Sequence, residues 1–234
     1  MKKLILFLAV GTFGVSSLSS CKKKGCTDST AANYNSNAKK DNGSCVYKPF
    51  ISINGNADTT INVGSSYSDL GATATNKDGS SVAVTTDNQV DTSIVGTYYV
   101  TYSATNSNGT STATRKVNVV IGKDNWIQAW TVTSACSSTS FPLAGNPTIT
   151  EGATAGTLNF DGMFNLYSGT VTATYNGATL TFTNQSVSSL AGTITFSGTG
   201  TMTPNGNIIN VSFNYDNSTP LVGGPGSCTA VFNK

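Results

Sequence analysis

Cysteine is the residue type in this chain best able to do chemistry, and the chain has five cysteines. Cys21 and Cys26 stand close together in the stretch LSSCKKKGC, and Cys45, Cys136 and Cys228 are spread along the rest. In an exported protein cysteines pair as disulfides, so an odd number leaves one with another role. Metal binding by the thiolates is disfavoured, because the chain has no His and no C-x-x-C spacing.

The first 20 residues predict export. Two lysines precede a short apolar run, residues 4–10, and small residues follow, as in a secretory signal peptide. The run is shorter than the ~20 residues that a transmembrane helix needs. The stretch from Leu18 to Cys21, LSSC, resembles a bacterial lipobox. That resemblance implies that residues 1–20 are removed and that Cys21 carries acyl chains. The alternative is an ordinary signal peptide with a cysteine near its cleavage site.

Lipidation of Cys21 would explain the odd count, because four cysteines then remain for disulfides. Four cysteines allow three pairings. Nearness in sequence and the domain layout favour Cys26–Cys45 and Cys136–Cys228. Two or more acyl chains hold a protein stably in a bilayer. We therefore predict an outer-membrane or cell-surface protein whose membrane contact is the lipid on Cys21.

The composition indicates an all-β protein with no nucleic-acid partner. The formal charge of +2 comes from the two lysines of the predicted signal peptide, so the remaining chain is neutral. Thr, Ser, Gly, Asn and Val suit strands joined by turns, and no long apolar period of 3.6 residues occurs. The length suits two small β domains on a tether.

Residues 21–48 form the predicted lipidated tether. Within it, residues 25–47, GCTDSTAANYNSNAKKDNGSCVY, resemble a Cys-bounded motif of Bacteroidota surface proteins. A loop this small cannot build a core, so a disulfide is its expected staple. Its Asp and Asn side chains could bind calcium or could make turns; these are Asp28, Asn33, Asn35, Asn37, Asp41 and Asn42. Its excess of lysines could touch lipid headgroups, or the tether could simply be solvated.

Residues 49–121 alternate apolar and polar side chains in short runs separated by Asp-Gly and Asn-Gly turns, which predicts a β-sandwich. The stretches ISING, VGSSYSDLGATAT, VDTSIVGTYYVTYSAT and RKVNV resemble an Ig-like family found in bacterial surface proteins and beside pesticidal crystal toxins. Asn106 stands where that family commonly has Asp, which would weaken any cation site there. We expect Arg115 to pair with Asp69 or Asp91 and to hold the fold.

Residues 124–234 read as an antiparallel meander of about seven or eight strands, closed as a barrel or as a two-sheet sandwich. Cys136 follows the first run and Cys228 opens the last, so a bridge between them would tie the two ends of the sheet together. The stretches WTVTSAC and SCTAVFNK resemble, weakly, those of small lipocalin-like lipoprotein domains.

The residues do not support catalysis. Without His there is no His-based triad or general base. Glu151 could pair with Asp161 or Asp216 across a cleft, but no spacing indicates such a pair. We therefore expect neither an enzyme nor a cofactor.

Two functional hypotheses remain. In the first, an Ig-like spacer presents the C-terminal domain for adhesion, or for binding a glycan, a surface protein or a small apolar molecule. In the second, the chain is a structural envelope lipoprotein without a ligand. Trp126 and Trp130 are the candidate binding residues, together with Phe141, Phe164 and Tyr167. Exposure of several of these rings would favour binding, and burial would remove that support.

Overall fold

The computed structural model describes residues 23–136 and 139–234. Cys21 and the predicted signal peptide lie outside the described residues. The described chain is almost entirely β structure with one short helix, which confirms the predicted all-β class. Among these residues, no helix has the length and apolar character needed to cross a bilayer.

Residues 25–47 are hereafter the Cys motif. Two two-residue strands, β1 (Lys24–Gly25) at its start and β2 (Lys40–Asp41) within it, pair in parallel. A 2.05 Å S–S bond joins Cys26 to Cys45. The rest of the motif consists of turns that its own side chains make. Side-chain oxygens accept hydrogen bonds from backbone N–H groups two residues later, at Asp28, Asn35, Asp41 and Asn42. Asn33 instead spans the loop, accepting from the Val46 N–H and donating to the Ser44 carbonyl.

Residues 49–121, hereafter the sandwich, form two sheets. Its strands are β3 (Phe50–Ile53), β4 (Asp58–Asn62), β5 (Ala72–Thr75), β6 (Ser81–Val82), β7 (Val84–Asn88), β8 (Gly96–Asn106) and β9 (Gly109–Val120). One sheet has the order β3-β5-β6 and the other β4-β9-β8-β7, with β4 parallel to β9. Alternate residues of β8 and β9 point between the sheets, so Val100, Tyr102 and Val117 are fully buried.

Residues 124–234 are hereafter the barrel. A single helical turn, α1 (Lys123–Trp126), lies at the start of this segment. The strands are β10 (Thr131–Ser134), β11 (Thr148–Glu151), β12 (Thr157–Asp161), β13 (Val171–Asn176), β14 (Thr179–Ser188), β15 (Thr193–Met202), β16 (Ile208–Asn217) and β17 (Gly224–Asn233). They form one antiparallel sheet with the order β10-β17-β16-β15-β14-β13-β12-β11. Its two edges meet where the N–H of Trp130 donates to Pro147 and that of Ile149 to Gln128. This contact closes the sheet as a barrel.

Aromatic side chains fill the barrel. Phe141 contacts Phe164, Phe196, Phe213 and Tyr215, with ring centroids 4.9 to 5.6 Å apart. The other fully buried rings are those of Phe160, Phe182, Phe232, Trp126 and Trp130. A 2.00 Å S–S bond joins Cys136 to Cys228 across 92 positions and ties the chain after β10 to β17. The interior of the barrel is thus packed with side chains.

The sandwich and the barrel share a continuous apolar core. Val63, Val119 and Ile121 of the sandwich belong to the same buried cluster as Trp126. Asn125, itself buried, donates a 2.8 Å hydrogen bond to the Val63 carbonyl. The Val95 N–H donates to the carbonyl of Pro204, in the turn between β15 and β16. The barrel is therefore seated on one end of the sandwich rather than joined to it by a loose linker.

Candidate functional site

The predicted binding residues Trp126 and Trp130 lie in the core, at 0% and 2% exposure. The indole N–H of Trp130 donates to the Trp126 carbonyl, and both rings face the barrel interior or its contact with the sandwich. Phe141 and Phe164 are also buried, and Tyr167 is half-buried. The physical reason is that α1 and β10 close one end of the barrel, where large rings gain most from burial. Neither tryptophan offers an exposed ring to a ligand.

The carboxylates considered for catalysis do not meet. Glu151 forms an ion pair with Lys123 at 2.8 Å. Asp161 accepts a hydrogen bond from the Thr150 hydroxyl, and it pairs with Thr148 at the opposite end of the β11–β12 ladder from Glu151. Asp216 is exposed on β16. The structure thus shows no carboxylate pair across a cleft at these positions.

Arg115 lies at the centre of the sandwich, with its side chain 4% exposed. Its Nε lies 2.9 Å from Asp69 Oδ1 and donates to the Tyr102 hydroxyl. Its remaining N–H groups donate to the carbonyls of Asn54 and Asn56, which lie between β3 and β4. Asp91, the other expected partner, instead accepts from Ser93 in a turn. The guanidinium therefore ties the loop between the sheets to the core.

The protonation states of this network are set by its hydrogen bonds. Burial alone would raise the pKa of Asp69, but donors from Tyr102, Gly71 and Tyr67, with the charge of Arg115, hold that pKa below its ordinary value. Burial and the hydrogen bond to Asp69 raise the pKa of Tyr67 to about 12. All members are held in one protonation state at neutral pH, which suits a structural rather than a catalytic role.

Asn106 joins the sandwich to the Cys motif. Its amide N–H₂ donates to the Tyr47 carbonyl at 3.0 Å and to Asn76 Oδ1 at 2.8 Å. Asn108 donates to the same Tyr47 carbonyl. An ionised Asp at position 106 would have no proton to donate, so these two bonds depend on the amide of Asn106. The Cys motif is thereby held against the end of β8.

A cluster that the sequence prediction missed lies at the far end of the barrel, opposite the end that contacts the sandwich. Leu166, Leu190 and Leu221, hereafter the leucine tips, are 74%, 111% and 106% exposed. Each projects from a different loop at that end. Isolated exposed leucines are common on protein surfaces, but three on adjoining loops indicate an interaction surface.

Polar contacts hold the three loops in place. Backbone hydrogen bonds between Ser168 and Ser188 join the loops that carry Leu166 and Leu190. Asn217, only 2% exposed, donates to the Ser140 carbonyl and accepts from the Thr219 N–H. Its buried amide thereby fixes the start of the loop that carries Leu221.

Leu221 is the one non-glycine residue with a positive φ, 71°, in the part of the chain that the structure describes. The left-handed region costs a residue with a Cβ roughly 1–2 kcal/mol. Strain of this kind concentrates at functional positions. The strained backbone at Leu221 places a leucine side chain in water, at a position where glycine would avoid the strain.

Beside two of the leucine tips, Leu166 and Leu190, lies a cleft of about 400 Å³. Leu166, Leu190 and Val222 line it together with Tyr167 and Thr219. The Tyr167 hydroxyl and Thr219 Oγ1 are hydrogen-bonded at 2.9 Å. The lining of the cleft contains no Asp, Glu, Lys or Arg. The sequence signal that could have found it is leucine within turn sequences, as in SSLAG and TPLVGG, where polar residues are usual.

Comparison with known proteins places the sandwich in a family. Residues 51–119 match the family model described as bacterial surface protein, Ig-like domain, which confirms the resemblance of this segment. No curated protein matches the chain significantly. Among solved structures, the chain is similar to the lipoprotein BT2262 from Bacteroides thetaiotaomicron, at 16% identity and a TM-score of 0.31, over 80% of this chain and 100% of that one. At that distance the likeness establishes no shared function.

Proposed function

We propose that this chain is a non-enzymatic lipoprotein of the bacterial outer membrane, anchored through Cys21, whose Ig-like sandwich holds the barrel out for adhesion to an apolar partner. The observation that carries the proposal is the cluster of leucine tips at the end of the barrel remote from the sandwich. The matched surface-protein family of residues 51–119 supports the cell-envelope location.

The order of contacts along the molecule supports this arrangement. The Cys motif, which follows Cys21 closely, contacts the sandwich at Asn106, the last residue of β8. The barrel contacts the sandwich at Val95, just before the first residue of β8. At ~3.4 Å per residue, the 11 residues of β8 separate these contacts by roughly 35 Å. The leucine tips lie beyond, a further barrel length from the anchor.

The anchoring step is tested by replacing Cys21 with Ser and separating the membrane and soluble fractions of cells. We expect the variant to lose labelled palmitate and to leave the membrane, because the acyl chains on Cys21 are the membrane contact that we propose. Ser20→Ala is the matched control, since it keeps a small residue before the cysteine. Membrane retention of the Cys21→Ser protein without palmitate would contradict the proposal.

The adhesion step is tested on intact cells by partition between water and hexadecane. Cells displaying the chain should enter the hydrocarbon phase more than cells displaying a chain with Leu166, Leu190 and Leu221 all changed to Asn. Added protease should cleave the barrel on intact cells if it faces outward. Equal partition of the two strains, with equal amounts displayed, would leave adhesion without support.

The second candidate function is a structural envelope lipoprotein without a ligand. The burial of Trp126 and Trp130 and the filled interior of the barrel favour it, because they remove these two rings from contact with any ligand. It predicts that the leucine variant and the original chain behave alike in the hexadecane partition.

A further inference from the structure

We propose that the cleft lined by Leu166, Leu190 and Val222 binds an uncharged amphiphile through its aliphatic chain. This inference rests on the proposed function, because it takes the far end of the barrel as the binding end. It names the chemistry of the ligand, which neither the family match nor the structural likeness supplies.

The size and lining of the cleft fit one chain of a small ligand. Its volume of about 400 Å³ lies in the ~300–1,000 Å³ range of small-molecule sites, which are mostly apolar with a few polar groups. Leu166, Leu190 and Val222 supply aliphatic surface on separate loops. Such a surface suits a flexible hydrocarbon chain, whereas sugar rings are better held by exposed aromatic faces.

The charge of the cleft selects an uncharged ligand. No Lys or Arg lines it, so an anionic headgroup gains no ion pair there. The barrel's carboxylates nearest the far end in sequence and topology, Asp161 and Asp216, are exposed on strands and are not part of the lining. A cationic headgroup therefore also lacks a direct partner.

Two hydroxyls give the headgroup a place to bind. Tyr167 and Thr219 are hydrogen-bonded to each other at the wall of the cleft, and the Asn217 amide lies 3.5 Å from the Tyr167 oxygen. A hydroxyl or ester oxygen of the ligand can join this pair, since each hydroxyl can both donate and accept. The chain then lies against Leu166, Leu190 and Val222.

The interior of the barrel is closed to the ligand. Phe141 and Phe164 are buried beneath the loops, with ring centroids 5.1 Å apart and edge to face. A chain entering from the cleft meets these rings, so only a limited length of hydrocarbon can be covered. The affinity should therefore stop rising once the chain fills the cleft.

The test is a calorimetric titration of the full chain carrying Cys21→Ser with monoacylglycerols of increasing chain length, each below its micelle concentration. We expect the association constant to rise roughly fourfold per methylene for the shorter chains and then to level off. Alkyl carboxylates and alkyl trimethylammonium ions of the same length should bind more weakly. The use of a soluble variant separates this result from anchoring, which is measured on cells.

Variants locate the binding. Leu166→Asn and Leu190→Asn should each lower the association constant by about fivefold or more, the loss expected from uncovering one to two methylenes. Leu221 does not line the cleft, so Leu221→Asn should bind nearly as well as the parent chain. Asn tolerates the left-handed backbone at position 221, so this change does not add strain. Leu70→Asn is the matched control, because Leu70 is an exposed leucine of the sandwich, at 65%. All four variants should melt like the parent chain.

Four results would overturn the proposal. The first is that no monoacylglycerol binds, and the second is that Leu166→Asn, Leu190→Asn and the Leu70→Asn control bind equally well. The third is that the chain binds only to phosphatidylcholine vesicles. The fourth is that the chain forms a dimer and the leucine variants abolish it. The third would assign the leucine tips to a bilayer surface and the fourth to a second copy of this chain. None of them would alter the result of the Cys21→Ser fractionation.

Discussion

The sandwich and the barrel are both antiparallel β domains for the most part, yet their centres are built from different chemistry. At the centre of the sandwich, the ion pair of Arg115 and Asp69 lies among the hydroxyls of Tyr67 and Tyr102. At the centre of the barrel, phenylalanine rings pack on each other, and a disulfide joins the chain after β10 to the neighbouring strand β17. One chain thus stabilises two domains in two ways.

The difference follows from strand length and closure. The sheet β3-β5-β6 has strands of only two to four residues, so little apolar area is available between the two sheets of the sandwich. The guanidinium of Arg115 fills that space and donates hydrogen bonds to the loop carbonyls of Asn54 and Asn56. In the barrel, strands β14 to β17 each have ten residues, and their inward faces supply enough rings to fill the interior.

The shared core of Val63, Ile121 and Trp126 complicates the comparison, because loss of one domain exposes apolar surface of the other. Melting of the whole chain therefore cannot assign an effect to one domain. Hydrogen exchange measured by peptide can, because local and subglobal openings report the stability of each region separately. The predictions below use that measurement.

Removal of the barrel disulfide should have the largest effect. The bridge closes a loop of 92 positions, and the chain-entropy model gives about 4 to 5 kcal/mol for a loop of this length. In the variant Cys136→Ala/Cys228→Ala, we expect amide protection in β14 to β17 to fall by up to about a thousandfold. Protection in β8 and β9 should change much less, since the sandwich contains no cysteine.

The matched control removes the other bridge. The variant Cys26→Ala/Cys45→Ala should lose structure in the Cys motif and leave the barrel unchanged, because that bridge closes a separate, 19-position loop. If the barrel keeps its full protection without Cys136 and Cys228, its aromatic core alone sustains it. Peptide mapping under non-reducing conditions should first recover the two predicted pairs, and a Cys45–Cys136 peptide would refute them.

The two domains also differ in how much the sequence could predict. Alternation in Tyr98–Thr105 predicted strand β8, and the family resemblance predicted the sandwich, because both depend on local patterns. In contrast, Trp126 and Trp130 were expected as binding residues, because sequence does not show that α1 and β10 close the barrel end and bury them. The leucine tips were missed because three loops far apart in sequence meet only after the sheet curls.

Loss of Arg115 should have the second largest effect and should be confined to the sandwich. Removing one member of a buried ion pair leaves the other charge poorly compensated and costs roughly 3 kcal/mol or more. In Arg115→Met, which keeps a long apolar side chain, we expect protection in β8 and β9 to fall by about a hundredfold. The barrel strands β14 to β17 should keep nearly all of theirs.

An exposed ion pair on the same strand provides the control for Arg115. Lys116 lies 3.0 Å from Asp58, and both side chains are largely exposed. Exposed pairs typically contribute ~0–1 kcal/mol, so Lys116→Met should change protection in β9 by no more than about fivefold. Equal effects of the two substitutions would show that the buried network adds nothing beyond a surface charge pair.

Of the changes considered, acid should produce the smallest difference in hydrogen-exchange protection between the sandwich and the barrel. The pKa of Asp69 in the folded sandwich is held below its ordinary value, which is ~3.9 in an unfolded chain. A lowered carboxyl pKa stabilises the fold above the unfolded value, and this stabilisation is lost as the pH falls through the folded pKa. Protection of β8 and β9 should therefore decline below about pH 4. The carboxylates of the barrel, Asp124, Glu151, Asp161 and Asp216, are exposed, so β14 to β17 should respond less.

Asp69→Asn should lower protection of the sandwich at pH 7 and flatten its acid decline, because the group that titrates is gone. An unchanged acid decline in Asp69→Asn would assign the sensitivity to the exposed turn aspartates Asp78 and Asp91, whose pKa values are also lowered by hydrogen bonds from Ser80 and Ser93. In that case the ion pair would not be what distinguishes the two domains in acid.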